Sequence, residues 1–186
     1  MSDWWTSLAE THAEVWRRLT RGVADRRAPA RHPVLATQRQ GGFAEARVIV
    51  LRGADREAGT LELHTDSASS KITEIRQNPG VTLLIWEQTA KLQIRLRCHI
   101  TVATGAETAP IWAKVPDTAR QVYGGAPEPG QPIDQPEEFS ANPDPNRFAI
   151  LTCQIAEIET LHLGQDRHRR ALFSAKDGWA GQWLAP

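Results

Sequence analysis

The sequence predicts a mainly β fold with flanking helices, either a β-barrel or a strongly bent sheet, preceded by an N-terminal helix. Three observations carry that expectation. Residues 91–102 alternate apolar and polar without a miss. Shorter runs of period two recur on both sides of them, separated by turns rich in Gly, Pro, Asn and Ser. Near the N-terminus, Leu8, His12, Val15, Trp16 and Leu19 repeat at spacings of three and four, so Ser7 to about Leu19 reads as one helix face.

From Pro33 the period changes to two. Val34 to Thr37 and Ala46 to Arg52 are expected as strands, with the turn at 40–42 between them. Thr60 to Thr65 is a third strand, entered through Ala58-Gly59. Ser67 to Gln77 reads as a short helix, opened by serines and closed by Asn78-Pro79-Gly80. Val81 to Glu87 is an apolar run between turns, hence a buried strand. In 91–102, Leu92, Ile94, Leu96, Cys98, Ile100 and Val102 face one way, with Gln93, Arg95, Arg97 and His99 among those facing the other. Glu107 to Tyr123 is expected as short helical pieces divided by Pro110 and Pro116. Ala126 to Asn146 holds six of the twelve prolines with five acids and no base, and is expected as a loop. Phe148 to Glu159, Leu161 to Leu163, Ala171 to Ser174 and Trp179 to Leu184 close the fold as strands. No repeat or linker divides the chain, so one domain over 1–186 is expected, with helix and arm in 1–30 and the barrel in 31–186.

Twenty-two Lys and Arg balance 22 Asp and Glu, which argues against a protein that coats nucleic acid or an anionic membrane. The N-terminal residues lack a basic region followed by an apolar stretch, and nowhere do 18 apolar residues run together. A cytoplasmic protein without a membrane span is expected. Cys98 and Cys153 sit in apolar alternating runs without ligand spacing, so both read as core side chains, and no metal site is expected. Six arginines between 17 and 31 face only Asp25 nearby. They read as a solvated helix face or as an arm over a site.

Signatures of dinucleotide, P-loop, zincin and serine-elbow chemistry are absent. What remains is cationic. Arg47 and Arg52, five apart, point to opposite faces of a regular strand. Thr65, Ser67, Ser69, Ser70 and Lys71 lie where a strand runs into a helix start, which brings unpaired N–H groups, hydroxyls and an ammonium together as for a phosphate monoester. On its own that signal is weak, because a Ser-rich helix start is usually a plain cap. Gln93, Arg95 and Arg97 could bond a planar heterocycle, but on the residues alone the solvated strand face is the preferred reading.

An ordered set of short motifs adds a resemblance. Arg47-Val-Ile-Val-Leu-Arg52, His64-Thr65-Asp66, Ser69-x-Lys71 leading to Asn78-Pro79, Leu83-Leu-Ile-Trp86, Gln93-x-Arg95, Arg170-x-x-Phe173 and Trp183-Leu-Ala-Pro186 occur in the order seen in the pyridoxamine 5'-phosphate oxidase-like FMN-binding proteins. The chain resembles that family over about Pro33 to Pro186. The resemblance implies an FMN-binding split β-barrel, a homodimer with flavin sites between subunits. Its implied function is an oxidoreductase in which the flavin accepts a hydride from a small substrate or NAD(P)H. It implies that Arg47 and Lys71 hold the FMN phosphate beside Ser70, and that Val48, Ile49, Val50, Leu51 and Arg52 with His64 and Thr65 line the flavin and its ribityl chain. Gln93 would bond the isoalloxazine edge, and Arg170 would reach the flavin from the second subunit, with His168 and Arg170 on the substrate side.

The chain also departs from the family pattern. Ser70 stands where the oxidases carry an Arg, and Ala68 where a wider related group does. Asp166 replaces the first Arg of the motif that holds a pyridoxal-type phosphate. The phosphate site therefore lacks one cation unless Arg52 or the N-terminal arginines compensate. Two alternatives stand beside the enzyme: a flavin-binding or sensing module without turnover, and haem binding on the same barrel through His64, His99 or His162.

Overall fold

A computed structural model describes residues 3–186; positions 1–2 of the expected N-terminal arm lie outside the described residues. The first helix, α1 (Leu8–Ala24), runs five residues past the sequence expectation. Ser7 accepts from the Glu10 N–H at its start, and Arg31 donates to the carbonyls of Gly22 and Val23 near its end. Its Val15, Trp16 and Leu19 are buried against the sheet. Gly22 is where the helix touches the following turn: a Cβ there would lie 2.7 Å from the Ala30 backbone.

Nine strands follow: β1 (Val34–Gln38), β2 (Ala44–Val48), β3 (Leu51–Asp55), β4 (Thr60–Asp66), β5 (Gly80–Glu87), β6 (Leu92–Thr104), β7 (Phe148–Leu163), β8 (His168–Ser174) and β9 (Gln182–Leu184). Helix α2 (Ser70–Gln77) lies between β4 and β5, and α3 (Ala109–Trp112) and α4 (Asp117–Arg120) between β6 and β7. The order across the sheet is β2-β1-β5-β6-β7-β4-β3, all antiparallel, with β8 and β9 branching from β7. The two ends of that order, β2 and β3, are joined by Ile49-Val50, so the sheet curls until its edges nearly meet. This is the bent, barrel-like β architecture the alternation predicted.

Two bulges shape it. On β7 the register steps from Arg97↔Glu157 to Cys98↔Ile155, leaving Ala156 extra. Burial changes parity there, from Cys153 and Ile155 to Ile158 and Thr160. The N-terminal half of β7 pairs with β4 and the C-terminal half with β8, so this one strand serves two parts of the sheet. The expected separate strand at 161–163 is the end of β7. On β3, Leu51 pairs Leu63 and Gly53 pairs Glu62, so Arg52 is the bulged residue.

The expected strand Ala46 to Arg52 is therefore corrected. It is two strands: the Ile49 N–H still bonds the Pro33 carbonyl, but Pro33 has no N–H to return the bond, so the β1–β2 ladder ends there and the chain crosses to the opposite edge of the sheet. Ser67 to Ser69 form the turn before α2 rather than its first residues, since Asp66 captures the Ala68 N–H and the Ser69 hydroxyl donates to the Asp66 carbonyl. The last strand is only Gln182–Leu184.

The main core joins Val15, Trp16 and Leu19 of α1 and Ile72 and Ile75 of α2 to Leu35, Leu83, Ile94, Leu96, Leu151 and Ile158 of the sheet. Cys98 and Cys153 are buried in it as free thiols, and burial pushes Cys98 up to about 12. A second cluster under the Pro-rich segment joins Tyr123, Phe148 and Ile150, with Trp112 against it.

Candidate functional site

The phosphate-like cluster assembles from β1, β2, β4 and α2. Arg47 stands on the β2 face shared with Leu35 and Leu83, because paired residues across a sheet point the same way. That face is covered by α2, and Arg47 meets the helix there. Its guanidinium contacts Glu74 at 3.1 Å and donates to the Thr37 hydroxyl, which donates in turn to Glu74 Oε2 at 2.5 Å. Lys71, one helical turn before Glu74, reaches the Thr65 hydroxyl at 3.0 Å. Burial holds the Lys71 ammonium below its ordinary range, Arg47 adds to that by repulsion, and Asp66 and Glu74 oppose it. The structure thus brings Arg47, Lys71 and Thr65 together. Ser70 is exposed at the first residue of α2, and the Ser69 side chain does not cap the helix.

A second layer fixes the loop into α2. Asp66 is 5% exposed and accepts from Arg147 Nε at 2.9 Å, the Ala68 N–H at 2.8 Å and the Gly124 N–H at 2.8 Å. Arg147 also approaches Glu128 at 3.5 Å, tying the Pro-rich segment to the same place.

The other expected residues go elsewhere. The bulge re-aims Arg52 toward His64 and Tyr123: its charge bears on both, and its Nε is buried without a hydrogen-bond partner among the described residues. Of the N-terminal arginines, Arg17 and Arg18 pair with Glu14, Arg18 also with Glu87, and Arg21 with Asp25, so these three are engaged away from the Arg47–Lys71 cluster. His64 bonds Glu62 at 2.7 Å and meets Phe148 edge-on, and burial keeps its imidazole below the ordinary value. Within 48–51, Ile49 and Leu51 are buried while Val48 is 64% exposed, so only Val48 and the half-buried Val50 present side chains outward.

Gln93 and Arg170 occupy one row across β6, β7 and β8, through Leu161. Arg170 and Arg95 each contact buried Glu159 at 2.8 Å, and Arg97 contacts Glu157 and Glu159. Gln93 and Leu96 are three apart on β6, so this row faces the opposite way from Arg47. His168 is exposed at the start of β8. Asp166, in the preceding turn, is drawn down to about 2 by hydrogen bonds from Arg169 and from backbone N–H groups, so it faces solvent as a carboxylate paired to Arg169.

Sequence reasoning missed Thr37, Glu74, Asp66, Arg147 and Glu159. Glu74 had a signal, three residues after Lys71 on one helix face. Arg147 had none, being 81 residues from Asp66.

The arrangement can hold a dianion. Arg47 and Lys71 lie near one another beside the uncapped start of α2, whose first residue is Ser70, and Glu74 neutralises part of the charge. These residues fit a flavin mononucleotide phosphate.

A family model described as "Pyridoxamine 5'-phosphate oxidase, FMN-binding domain" matches residues 13–104. A pyridoxine/pyridoxamine 5'-phosphate oxidase of Rhodopseudomonas palustris is 28% identical over 152 residues, covering 82% of this chain and 62% of that protein. One from Nitrobacter hamburgensis is 31% identical over 100 residues, 54% of this chain and 46% of its own. The chain thus spans about three fifths or less of the curated relatives it matches. Among solved structures, a pyridoxamine 5'-phosphate oxidase-related, FMN-binding protein of Nostoc punctiforme superposes with TM-score 0.75 at 23% identity, covering 100% of this chain and 99% of that one. PhzG of Burkholderia lata, solved with tetrahydrophenazine-1-carboxylic acid, gives 0.74 at 23% identity, covering 95% and 91%. At that identity the likeness is one of fold, the FMN-binding split barrel.

Proposed function

Because the chain belongs to the pyridoxamine 5'-phosphate oxidase-like FMN-binding proteins, we propose that it is an FMN-dependent oxidoreductase acting on a small molecule or NAD(P)H in the cytoplasm. The observation that supports the reading is the grouping of Arg47 and Lys71, both near Glu74, beside the uncapped start of α2. When bound, FMN supplies a two-electron acceptor whose N5 takes a hydride. The chain's own residues bind and orient. Arg47, Lys71 and Ser70 hold the phosphate. Thr37 and Glu74 orient Arg47, and Thr65 orients Lys71.

The reading includes a homodimer. Gln93 and Arg170 face away from Arg47 in one chain, so a second chain laid on that outer face would bring them to the flavin. The same face exposes Val48 at 64% and Trp86 at 42%, apolar surface suited to burial in a partner. Glu159 would then set the direction of Arg170. His168, exposed beside that row, is the residue proposed to meet substrate.

The test is to denature the purified protein, identify the released chromophore, and repeat with Arg47→Ala and Lys71→Ala. FMN from the wild type and its loss from both variants support the assignment; unchanged FMN binding by both variants overturns it. A second reading, a flavin-binding module without turnover, has one observation in its favour. Asp166 is an ionised acid beside His168 and would repel a phosphorylated substrate. Oxygen consumption or NAD(P)H oxidation by the FMN-loaded dimer separates the two readings.

A further inference from the structure

Residues 125–146 form a strap with little of its own to hold it. Every residue from 128 to 143 is exposed, and a bridge between Ala126 and Ser140 ties the strap to itself. A segment this exposed opens locally at little cost unless its base is fixed.

One buried carboxylate fixes that base. Asp66 Oδ2 accepts from the Gly124 N–H at 2.8 Å, where the strap begins, and Oδ1 accepts from Arg147 Nε at 2.9 Å, where it ends. Beside them the Ser67 N–H donates to the Arg147 carbonyl at 2.7 Å. The root of the strap also carries Tyr123, which packs edge-on against Phe148, and Phe148 in turn meets His64.

The turn that holds the strap is also the turn that leads into the Arg47–Lys71 cluster. Thr65, the residue before Asp66, accepts from Lys71, and the Ser69 hydroxyl donates to the Asp66 carbonyl where α2 begins. The Asp66 charge bears on the Lys71 ammonium. Without an anion, Lys71 offsets part of the Asp66 charge whenever Arg147 swings away. A bound dianion engages Lys71 and adds negative charge near Asp66, so losing Arg147 then leaves like charges facing one another. Opening the strap is harder with the dianion in place, and by linkage the dianion is held more tightly when the strap is closed.

We propose that the 125–146 strap is a closure coupled to the flavin site: a phosphate dianion at Arg47 and Lys71 locks it through Asp66 and Arg147, and the locked strap retains the dianion. The inference rests on the FMN reading above.

Hydrogen exchange of the full chain over 121–146, with and without saturating FMN, tests it, with FMN binding measured in parallel by flavin fluorescence. Exchange in the strap should slow about tenfold when FMN binds, while the β3–β4 turn, held by the Ala58 N–H on Asp55, exchanges as before. Arg147→Met should weaken FMN by about the same factor and remove the protection. Arg147→Lys keeps a cation at Asp66 and should keep both effects, so it carries the test if the Met variant fails to fold. The coupling is overturned if FMN binds and strap exchange is unchanged, if both segments slow equally, or if Arg147→Met binds FMN as tightly as the wild type. A chain that takes up no FMN overturns the flavin reading and this inference together.

Discussion

Asp66→Asn is the perturbation from which most can be read. The carboxylate is buried and accepts from Arg147, from the Ala68 N–H and from the Gly124 N–H, so it joins the α2 loop to the segment that leads into the Pro-rich stretch. Removing one partner of a buried ion pair costs about 3–5 kcal/mol, because the other charge is stranded. Asn keeps one carbonyl oxygen for an N–H, and the Arg147 side chain is 20% exposed and can draw on water, so about 2–3 kcal/mol is expected. At roughly 2–4 °C per kcal/mol for a chain of this size, Tm should fall by about 5–10 °C. Urea denaturation measures the loss, and limited proteolysis should show faster cutting within 126–146. A double-mutant cycle with Arg147→Met isolates the pair. A single-variant loss below about 0.5 kcal/mol, or coupling below that value, would refute the assigned role of the latch.

Gly22→Ala improves intrinsic helix propensity by about 1 kcal/mol yet should lower stability by a net ~1–2 kcal/mol, because the new Cβ meets the Ala30 backbone at 2.7 Å; a variant as stable as wild type in urea contradicts the packing. Glu74→Gln removes a negative charge beside Arg47 while keeping a hydrogen-bond partner, so FMN should bind about three- to tenfold tighter, read by fluorescence quenching, and weaker binding would mean the charge is needed to orient Arg47. Burial lowers the folded-state pKa of His64, so as pH falls through the ordinary value near 6.5 the unfolded chain takes up its proton first. Stability present above that pH is therefore lost below it, until the folded imidazole also titrates. His64→Gln should flatten that part of the urea-midpoint profile, and an unchanged slope would place the titration elsewhere.

Much of the fold was legible because its signals are local. The twelve-residue alternation of 91–102 became β6, since only a strand with one face in the core produces it. The helical spacing of Leu8, Val15 and Leu19 became α1 for the same reason at period 3.6. The run 46–52 misled because Arg47 to Arg52 is apolar and β-branched throughout its middle, and propensity does not record that the chain leaves one edge of a sheet for the other. The bulge at Ala156 left no local signal: the expected strand Phe148 to Glu159 runs through it, and the break expected before Leu161 does not occur. In the site, Arg47, Lys71 and Thr65 were found through their residue types and order. Glu74 was within reach of the i, i+3 rule, and Asp66–Arg147 was not, because nothing local links residues 81 apart.

By itself the sequence determined the periodicities, hence which residues face the core, and the ordered motifs that carry the family and its cofactor. Tertiary structure alone decided where the cations point. Closure of the sheet sends Arg47 to α2, a single bulged residue turns Arg52 to Tyr123, and the row of Gln93 and Arg170 ends on the opposite face. Direction across a sheet depends on register and on which strands become neighbours. Those are set by burying the whole core at once, and no short stretch of sequence contains them.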